Sequence, residues 1–189
     1  MPGTSPLASE KPARRHPARP RRAGTATPRR RAAEGPAAGQ NPGPHPTLGY
    51  WHAWVDEDGC SHQTRCTLDS FELKGVGPGV QPQWNHKEPP ANAVVTFTVL
   101  PVGWLGDWHE NPRPQWIAPI SGRWFVETMD GTRVEMGPGD LELGEDQTCR
   151  ADAHGHKGHL SGTVGDEPCV LMVVGLDVTP TVADPCRVR

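Results

Sequence analysis

The 189-residue chain has no long apolar run. Its apolar stretches are too short for a transmembrane helix, and no segment has the apolar core that a secretory signal peptide requires. It also has no segment with the 3.6-residue apolar period of an amphipathic helix. We therefore expect no membrane-spanning segment and no helical core, and a fold built from strands.

Large apolar side chains are almost missing from the first 46 residues. This region carries nine Arg or Lys and two Glu, so it holds a charge of +7 and leaves −10 for the rest of the chain. Such a segment buries too little apolar surface to offset the entropy lost on ordering. We predict a disordered tail over residues 1–46 and one folded domain over residues 47–189. No aromatic residue is interleaved with the basic clusters, so nucleic acid is not an expected partner.

The five cysteines show no C-x-x-C pair and do not form the even-numbered framework of a small secreted domain. This pattern fits a reducing compartment, so we predict a cytoplasmic protein. We interpret the thiols as small apolar or surface groups and assign them no chemistry.

Short β-rich runs alternate with Gly and Pro turns after residue 47. L-G-Y-W-H-A-W-V predicts an edge or lid strand, and T-L-D-S-F-E-L-K a short strand. A-V-V-T-F-T-V-L predicts a strand buried on one or both faces, and V-L-M-V-V-G-L a buried strand. Asp130-Gly131 predicts a two-residue hairpin turn, because glycine accepts positive φ. The pattern indicates an all-β sandwich or barrel.

A Gly- and Pro-rich segment over residues 75–90 predicts a functional or mobile loop. It contains Trp84 and His86. Two interpretations stay open: these side chains fold over a pocket, or the tryptophan anchors the loop to the outside of the domain.

Polar side chains cluster in the stretch from Gly103 to Gly122. His109 and Asn111 are two residues apart, so on a strand both would project from one face, which in a closed barrel is the interior. Asp107 shares that parity. Gln115 does so nominally, although two intervening prolines distort the strand. The stretch therefore predicts a group of side chains able to reach one ligand.

These residues resemble the first motif of the cupin superfamily, whose members are small jelly-roll barrels that often hold a metal among histidines. The motif runs Gly, five residues, His, one, His, three or four, Glu, six, Gly. Gly103, His109, Asn111, Gln115 and Gly122 stand at those spacings, with asparagine in place of the second histidine and glutamine in place of the glutamate.

The resemblance covers residues 93–176. The G-P-G-D turn at residues 137–140 resembles the turn between the two cupin motifs. The resemblance implies a cupin-type jelly-roll barrel, also called a double-stranded β-helix, within residues 47–189. It also implies a homodimer as the default assembly.

The second cupin motif is matched by His159. The resemblance implies a divalent metal, namely iron(II), nickel, zinc or manganese, with His109 and His159 as ligands. Amides in place of an imidazole and a carboxylate should weaken such a site. Gln115 is the candidate catalytic residue as an orienting group and a weak ligand, and the compensating candidates are Asp107, His154 and His156.

A substrate pocket is the remaining candidate site. Several tryptophans crowd the same part of the chain, and we weigh two interpretations: they fill space in the core, or they line an apolar cavity for a flat or apolar organic molecule. The candidate pocket residues are Asp107, Asn111, Trp108, Trp116 and Trp124.

Three functional hypotheses follow. The first is a metal-dependent enzyme acting on a small organic molecule, with a dioxygenase-type oxidoreductase as the leading option and an isomerase or lyase as others. The second is a metal-free cupin that binds or senses a small molecule without catalysis. The third is a structural or polymer-binding jelly roll with a closed mouth.

Overall fold

The computed structural model describes residues 43–189, so almost all of the tail predicted over residues 1–46 lies outside the described residues. Within residues 43–189 the chain forms strands and no helix, which confirms the all-β class. In this part of the protein no helix is long and apolar enough to cross a membrane. The strands are β1 Leu48–Val55, β2 Ser61–Leu68, β3 Glu72–Lys74, β4 Gln83–Asn85, β5 Ala93–Leu100, β6 Gln115–Ser121, β7 Arg123–Thr128, β8 Arg133–Met136, β9 Glu142–Glu145, β10 His159–Val164 and β11 Cys169–Leu176.

The strands form a six-stranded sheet in the order β2-β1-β9-β6-β11-β5, a three-stranded sheet in the order β10-β7-β8, and the hairpin β3-β4. The larger sheet is mixed, because β1 and β9 run parallel while its other neighbours are antiparallel. These described strands do not close into a barrel. The arrangement is compatible with a β-sandwich or a jelly roll.

The six-stranded sheet carries apolar side chains on both faces. On its inner face Ile117 and Leu171 pack with Trp124 and Val126 of the three-stranded sheet, which joins the two sheets through one core. A second cluster that includes Leu143 lies on the outer face. Burying apolar area on both faces supplies the main stabilising term for such a fold.

Three strand predictions need correction. The run L-G-Y-W-H-A-W-V forms β1, but β1 lies between β2 and β9 and is not an edge strand. The run T-L-D-S-F-E-L-K is not one strand, because β2 ends at Leu68 and β3 begins at Glu72. The run A-V-V-T-F-T-V-L forms β5, the last strand of its sheet, but the predicted burial is wrong, since 67% of Phe97 is accessible.

The turn between β7 and β8 is longer than predicted. Residues 129–132 connect the strands, the N–H of Gly131 donates to the carbonyl of Thr128 at 2.9 Å, and the N–H of Thr128 donates to the carbonyl of Thr132 at 3.0 Å. Gly131 has a φ of 82°, as expected. The prediction of a two-residue turn is therefore wrong. A turn that starts at Thr128 comes first, and Gly131 with its positive φ closes it.

Residues 177–189, which we call the C-terminal strap, cross the outer face of β1. Val182 forms a bridge with Val55, and the Tyr50 hydroxyl donates to the Val188 carbonyl at 2.8 Å. A disulfide joins Cys66 of β2 to Cys186 of the strap. Our interpretation of all five cysteines as thiols is therefore wrong for this pair. Disulfides are rare in the cytosol, so this bond counts against the cytoplasmic prediction.

Candidate functional site

Seven polar side chains meet where the loop before β6 contacts β9 and β10. We call them the interior polar cluster. Five of the seven are buried, Gln115 is half-buried, and His109 is exposed. The members are Gln63, His109, Asn111, Gln115, Glu142, Asp146 and His159.

Strand β9 supplies the carboxylates of the cluster. Side chains alternate between the two faces of a strand. Glu142 and Asp146, the residue that directly follows β9, therefore point inward, whereas Leu143 and Glu145 point outward. The Gln63 amide donates to Glu142 at 3.2 Å from β2. Gly144 lies between the two acids, and a Cβ at this position would overlap the Asn111 amide. A glycine on β9 therefore leaves room for Asn111.

The loop before β6 brings His109 to His159. The backbone N–H of each residue donates to the carbonyl of the other, at 2.9 and 2.8 Å, and the ring centroids are 4.4 Å apart. Gly158 has a φ of 81°, and a Cβ there would overlap the carbonyl of His109. The two histidines chosen from the sequence are therefore neighbours. His109 and Asn111 precede β6, however, so the prediction that they lie on a strand is wrong.

Asp146 is the centre of the hydrogen-bond network. Its Oδ1 accepts from the backbone N–H of Asn111 at 2.9 Å and from the Asn111 amide at 2.7 Å. Its Oδ2 pairs with Nδ1 of His159 at 2.5 Å. The Gln115 amide in turn donates to Oδ1 of Asn111 at 2.6 Å. Asp146 therefore accepts three hydrogen bonds. The Asn111 amide bonds to it directly, and the Gln115 amide bonds to Asn111.

The charges of the cluster follow from burial and pairing. Burial alone would raise the pKa of Asp146, but the hydrogen bond and charge of His159, together with the two hydrogen bonds from Asn111, outweigh it and lower that pKa. Burial likewise opposes a charge on His159, while the bond to Asp146 raises its pKa. Glu142 has no such partner, so burial raises its pKa to about 8. These directions favour an ion pair between Asp146 and His159 and a protonated Glu142 near neutral pH.

Four of the predicted site residues lie away from the cluster. Asp107 contributes only its backbone carbonyl, which pairs with Nδ1 of His109 at 2.7 Å. His154 is on an exposed loop, where its N–H donates to Asp152 at 2.8 Å. His156 binds Asp152 as well and stacks on Trp108, with centroids 4.6 Å apart. Apart from the Asp107 carbonyl, none of the hydrogen bonds, ion pairs or ring contacts described for residues 43–189 joins these residues to the cluster.

The tryptophans do not share one pocket. Trp108 stacks on His156 outside the core, and Trp116 packs against Tyr50 on the outer face of the sheet, with centroids 5.1 Å apart. Trp124 fills the core between the sheets, and its Nε1 is buried without a hydrogen-bond partner in the described part of the chain.

The sequence analysis missed Gln63, Glu142 and Asp146. A signal was present, because G-D-L-E-L-G-E-D places three acids in and after a strand that is otherwise apolar. Buried carboxylates are costly unless they are paired or neutral, so acids in a buried strand indicate a functional or ion-paired position.

The donors of the cluster do not fit a tightly held divalent cation. His109 and His159 supply two imidazoles, but both oxygens of Asp146 already accept hydrogen bonds, and the Glu142 carboxyl accepts one from Gln63. The amides of Asn111 and Gln115 are weaker donors. Among residues 43–189 no three His, Cys, Asp or Glu side chains are arranged to hold a metal ion.

A second buried histidine–carboxylate pair lies on the outer face of β9. Glu145 accepts from His52 at 3.1 Å and from the Arg187 guanidinium at 2.6 and 2.8 Å. The Cys186 N–H donates to Nδ1 of His52 at 3.1 Å, which places the ring proton on Nε2, facing Glu145. Burial raises the pKa of Glu145, but His52 and Arg187 reverse that effect and hold it at about 2. We call these three residues the strap site.

No protein-family model matches this chain, and no curated protein has a similar sequence. Its function is therefore inferred from the contacts, burial and charges of its own residues.

Proposed function

We propose that the chain is a cupin-type jelly-roll protein that binds a small organic molecule at the interior polar cluster without a metal. The motif spacing from Gly103 to Gly122 and the all-β fold support the cupin assignment. The observation that carries the metal-free binding is the engaged carboxylate: Asp146 accepts three hydrogen bonds, which involve both of its oxygens.

The cluster offers hydrogen-bond donors to a ligand. His159 is held by Asp146 through Nδ1, and its Nε2 makes no hydrogen bond within residues 43–189. A protonated Glu142 is a donor beside it. The exposed imidazole of His109 gives access from solvent. A small molecule with carbonyl, carboxylate or hydroxyl oxygens matches this set of donors.

The metal-dependent enzyme remains the second candidate, with a dioxygenase-type oxidoreductase first and an isomerase or lyase after it. One observation favours it, namely that the His109 and His159 rings are 4.4 Å apart. Iron(II), nickel, zinc and manganese are the metals to test. The homodimer stays a prediction, since none of the contacts described above bears on assembly. The cytoplasmic location also stays a prediction, and the disulfide between Cys66 and Cys186 counts against it.

Imidazole resonances in nuclear magnetic resonance spectra separate the candidates. With acetate, pyruvate and glycerol as probes, we expect at least one to shift the ring signals of His109 and His159 saturably, because the donors are reachable. His109→Ala should abolish the shift, whereas His154→Ala, on the exposed loop, should not.

Two results would contradict metal-free binding. Stoichiometric shifts of both rings with one of the four metals, and none with the organic probes, would favour the enzyme. No response to any probe or metal would favour the structural jelly roll with a closed mouth.

A further inference from the structure

An apolar cavity of about 180 Å³ lies on the outer face of the six-stranded sheet. Its walls include Leu68 of β2, Trp116 of β6 and Met172 of β11. Trp116 points away from Ile117, which is part of the inner core, so this cavity and the interior polar cluster are on opposite sides of the sheet. None of the cluster's residues lines it.

The segment that follows β4 closes one side of the cavity with two polar residues, His86 and Glu88. Nε2 of His86 lies 3.1 Å from Oε1 of Glu88. The His86 ring also packs against Phe71, with centroids 5.8 Å apart. Of the two interpretations of this loop, the structure therefore supports a pocket for His86.

His86 has one nitrogen without a partner. A carboxylate only accepts hydrogen bonds, so its contact with Nε2 places a ring proton there, and in the neutral imidazole Nδ1 is then the acceptor. Nδ1 is buried and has no hydrogen-bond partner among residues 43–189. A buried polar atom left unpaired is costly, and a ligand that donates one hydrogen bond would remove that cost.

Size and charge restrict the ligand further. An apolar cavity of roughly 150 Å³ is large enough for benzene, so the present cavity fits one aromatic ring with a small substituent. The one acidic residue in its lining is Glu88, and the lining has no Lys or Arg. A carboxylate beside the site disfavours anionic ligands.

We propose that this cavity binds a monocyclic aromatic compound with one hydroxyl group, such as a simple phenol. The ring packs among Leu68, Trp116 and Met172, and the hydroxyl donates to Nδ1 of His86. This site goes beyond the function proposed for the interior polar cluster, because it uses none of the cluster's residues and involves no metal.

Titration calorimetry with phenol, toluene and benzoate tests the proposal. We expect phenol to bind about 10-fold more tightly than toluene, the effect of one hydrogen bond of about 1.4 kcal/mol, and benzoate to bind more weakly than both. His86→Phe keeps an apolar ring but removes Nδ1, so it should abolish the preference for phenol. His154→Phe is the matched control on the exposed loop and should change nothing.

A second variant covers the case in which His86→Phe does not fold. Ala118, on β6, lines the cavity, so Ala118→Leu should fill it and abolish phenol binding. His109→Ala should leave phenol binding unchanged, which separates this site from the interior polar cluster.

Three results would overturn the proposal. The first is the absence of saturable phenol binding at millimolar concentration, and the second is an unchanged phenol affinity in His86→Phe. The third is a sedimentation experiment in which Ala118→Leu disrupts a dimer while neither the wild type nor the variant binds phenol. In the last case a second copy of the chain covers the cavity.

Discussion

Two buried histidine–carboxylate pairs stand on opposite faces of β9, and they differ in how their charges are balanced. In the strap site, Glu145 faces both His52 and the Arg187 guanidinium, and its pKa is about 2. In the interior polar cluster, the ion pair of Asp146 is with His159 alone. Burial raises the pKa of the neighbouring Glu142 to about 8, which favours its protonated form. None of the seven cluster residues is Lys or Arg.

This difference indicates that the strap site is structural and that the interior polar cluster is the candidate binding site. A buried carboxylate with a bidentate arginine and a histidine is fully paired, and it fixes the C-terminal strap to the sheet. A buried acid that must bind a proton to fold lowers stability as the pH rises. Glu142 is buried in a cluster that contains no Lys or Arg, so the interior polar cluster is the better candidate for a binding site.

The largest expected effect comes from the disulfide that holds the C-terminal strap. Cys66→Ser combined with Cys186→Ser opens a crosslink between residues 120 apart, and we expect a loss of about 4 kcal/mol in the free energy of unfolding. Urea denaturation without reductant measures it. Dithiothreitol should lower the wild-type midpoint to that of the variant. Cys60→Ser, which removes a free thiol, is the control; equal midpoints for wild type and the double variant would mean that the crosslink does not hold the strap.

Removing the Arg187 guanidinium alone should cause the next largest loss in the free energy of unfolding. Arg187→Met leaves Glu145 buried beside a neutral histidine, and we expect a loss of about 3 kcal/mol. The pKa of Glu145 is lowered from 4.5 to about 2 on folding, so its stabilising contribution is full above pH 4.5 and disappears as the pH falls toward 2. The variant should therefore lose much of this acid dependence.

Urea midpoints measured across the acid range, with Arg189→Met as the surface control, test this prediction. A variant with the wild-type midpoint and the wild-type acid dependence would show that Arg187 does not compensate Glu145.

A substitution of Glu142 in the interior polar cluster should stabilise the protein, whereas the substitutions above destabilise it. The pKa of Glu142 rises from 4.5 to about 8 on folding, so wild-type stability should fall as the pH rises through that window, by about 1.4 kcal/mol per unit. Glu142→Gln removes this dependence. We expect a gain of about 2 kcal/mol at neutral pH, because the extra N–H of the amide offsets part of the gain.

The pH dependence of the urea midpoint shows the difference, with Glu57→Gln on the surface as control. If Glu142→Gln destabilises the protein at every pH, the cluster is a stabilising feature and its contrast with the strap site fails.

Local sequence patterns predicted much of the fold and part of the cluster. Alternating runs and Gly or Pro turns located β1, β5, β7, β8 and β11, whereas β2 was missed because most of S-H-Q-T-R-C-T-L is polar. Motif spacing chose His109 and His159, which the structure brings together. Within each motif, such spacing links only residues that are near one another in the chain.

The remaining contacts depend on strand order, which no local pattern encodes. Asp146 reaches Asn111 because β9 pairs with β6, and β5 pairs with β11 alone at the end of the sheet. The disulfide joins cysteines 120 residues apart, through a strap that has no strand pattern of its own. Pairings of this range become visible only in the folded chain.

The metal content of the reconstituted protein tests the central claim most directly, namely that the interior polar cluster holds no metal. After incubation with iron(II), nickel, zinc or manganese and removal of excess ion, elemental analysis should find no stoichiometric metal in wild type. Asn111→His with Gln115→Glu, which adds an imidazole and a carboxylate beside His109 and His159, should retain more metal than wild type. One equivalent of metal in wild type, lost in His159→Ala, would contradict the account.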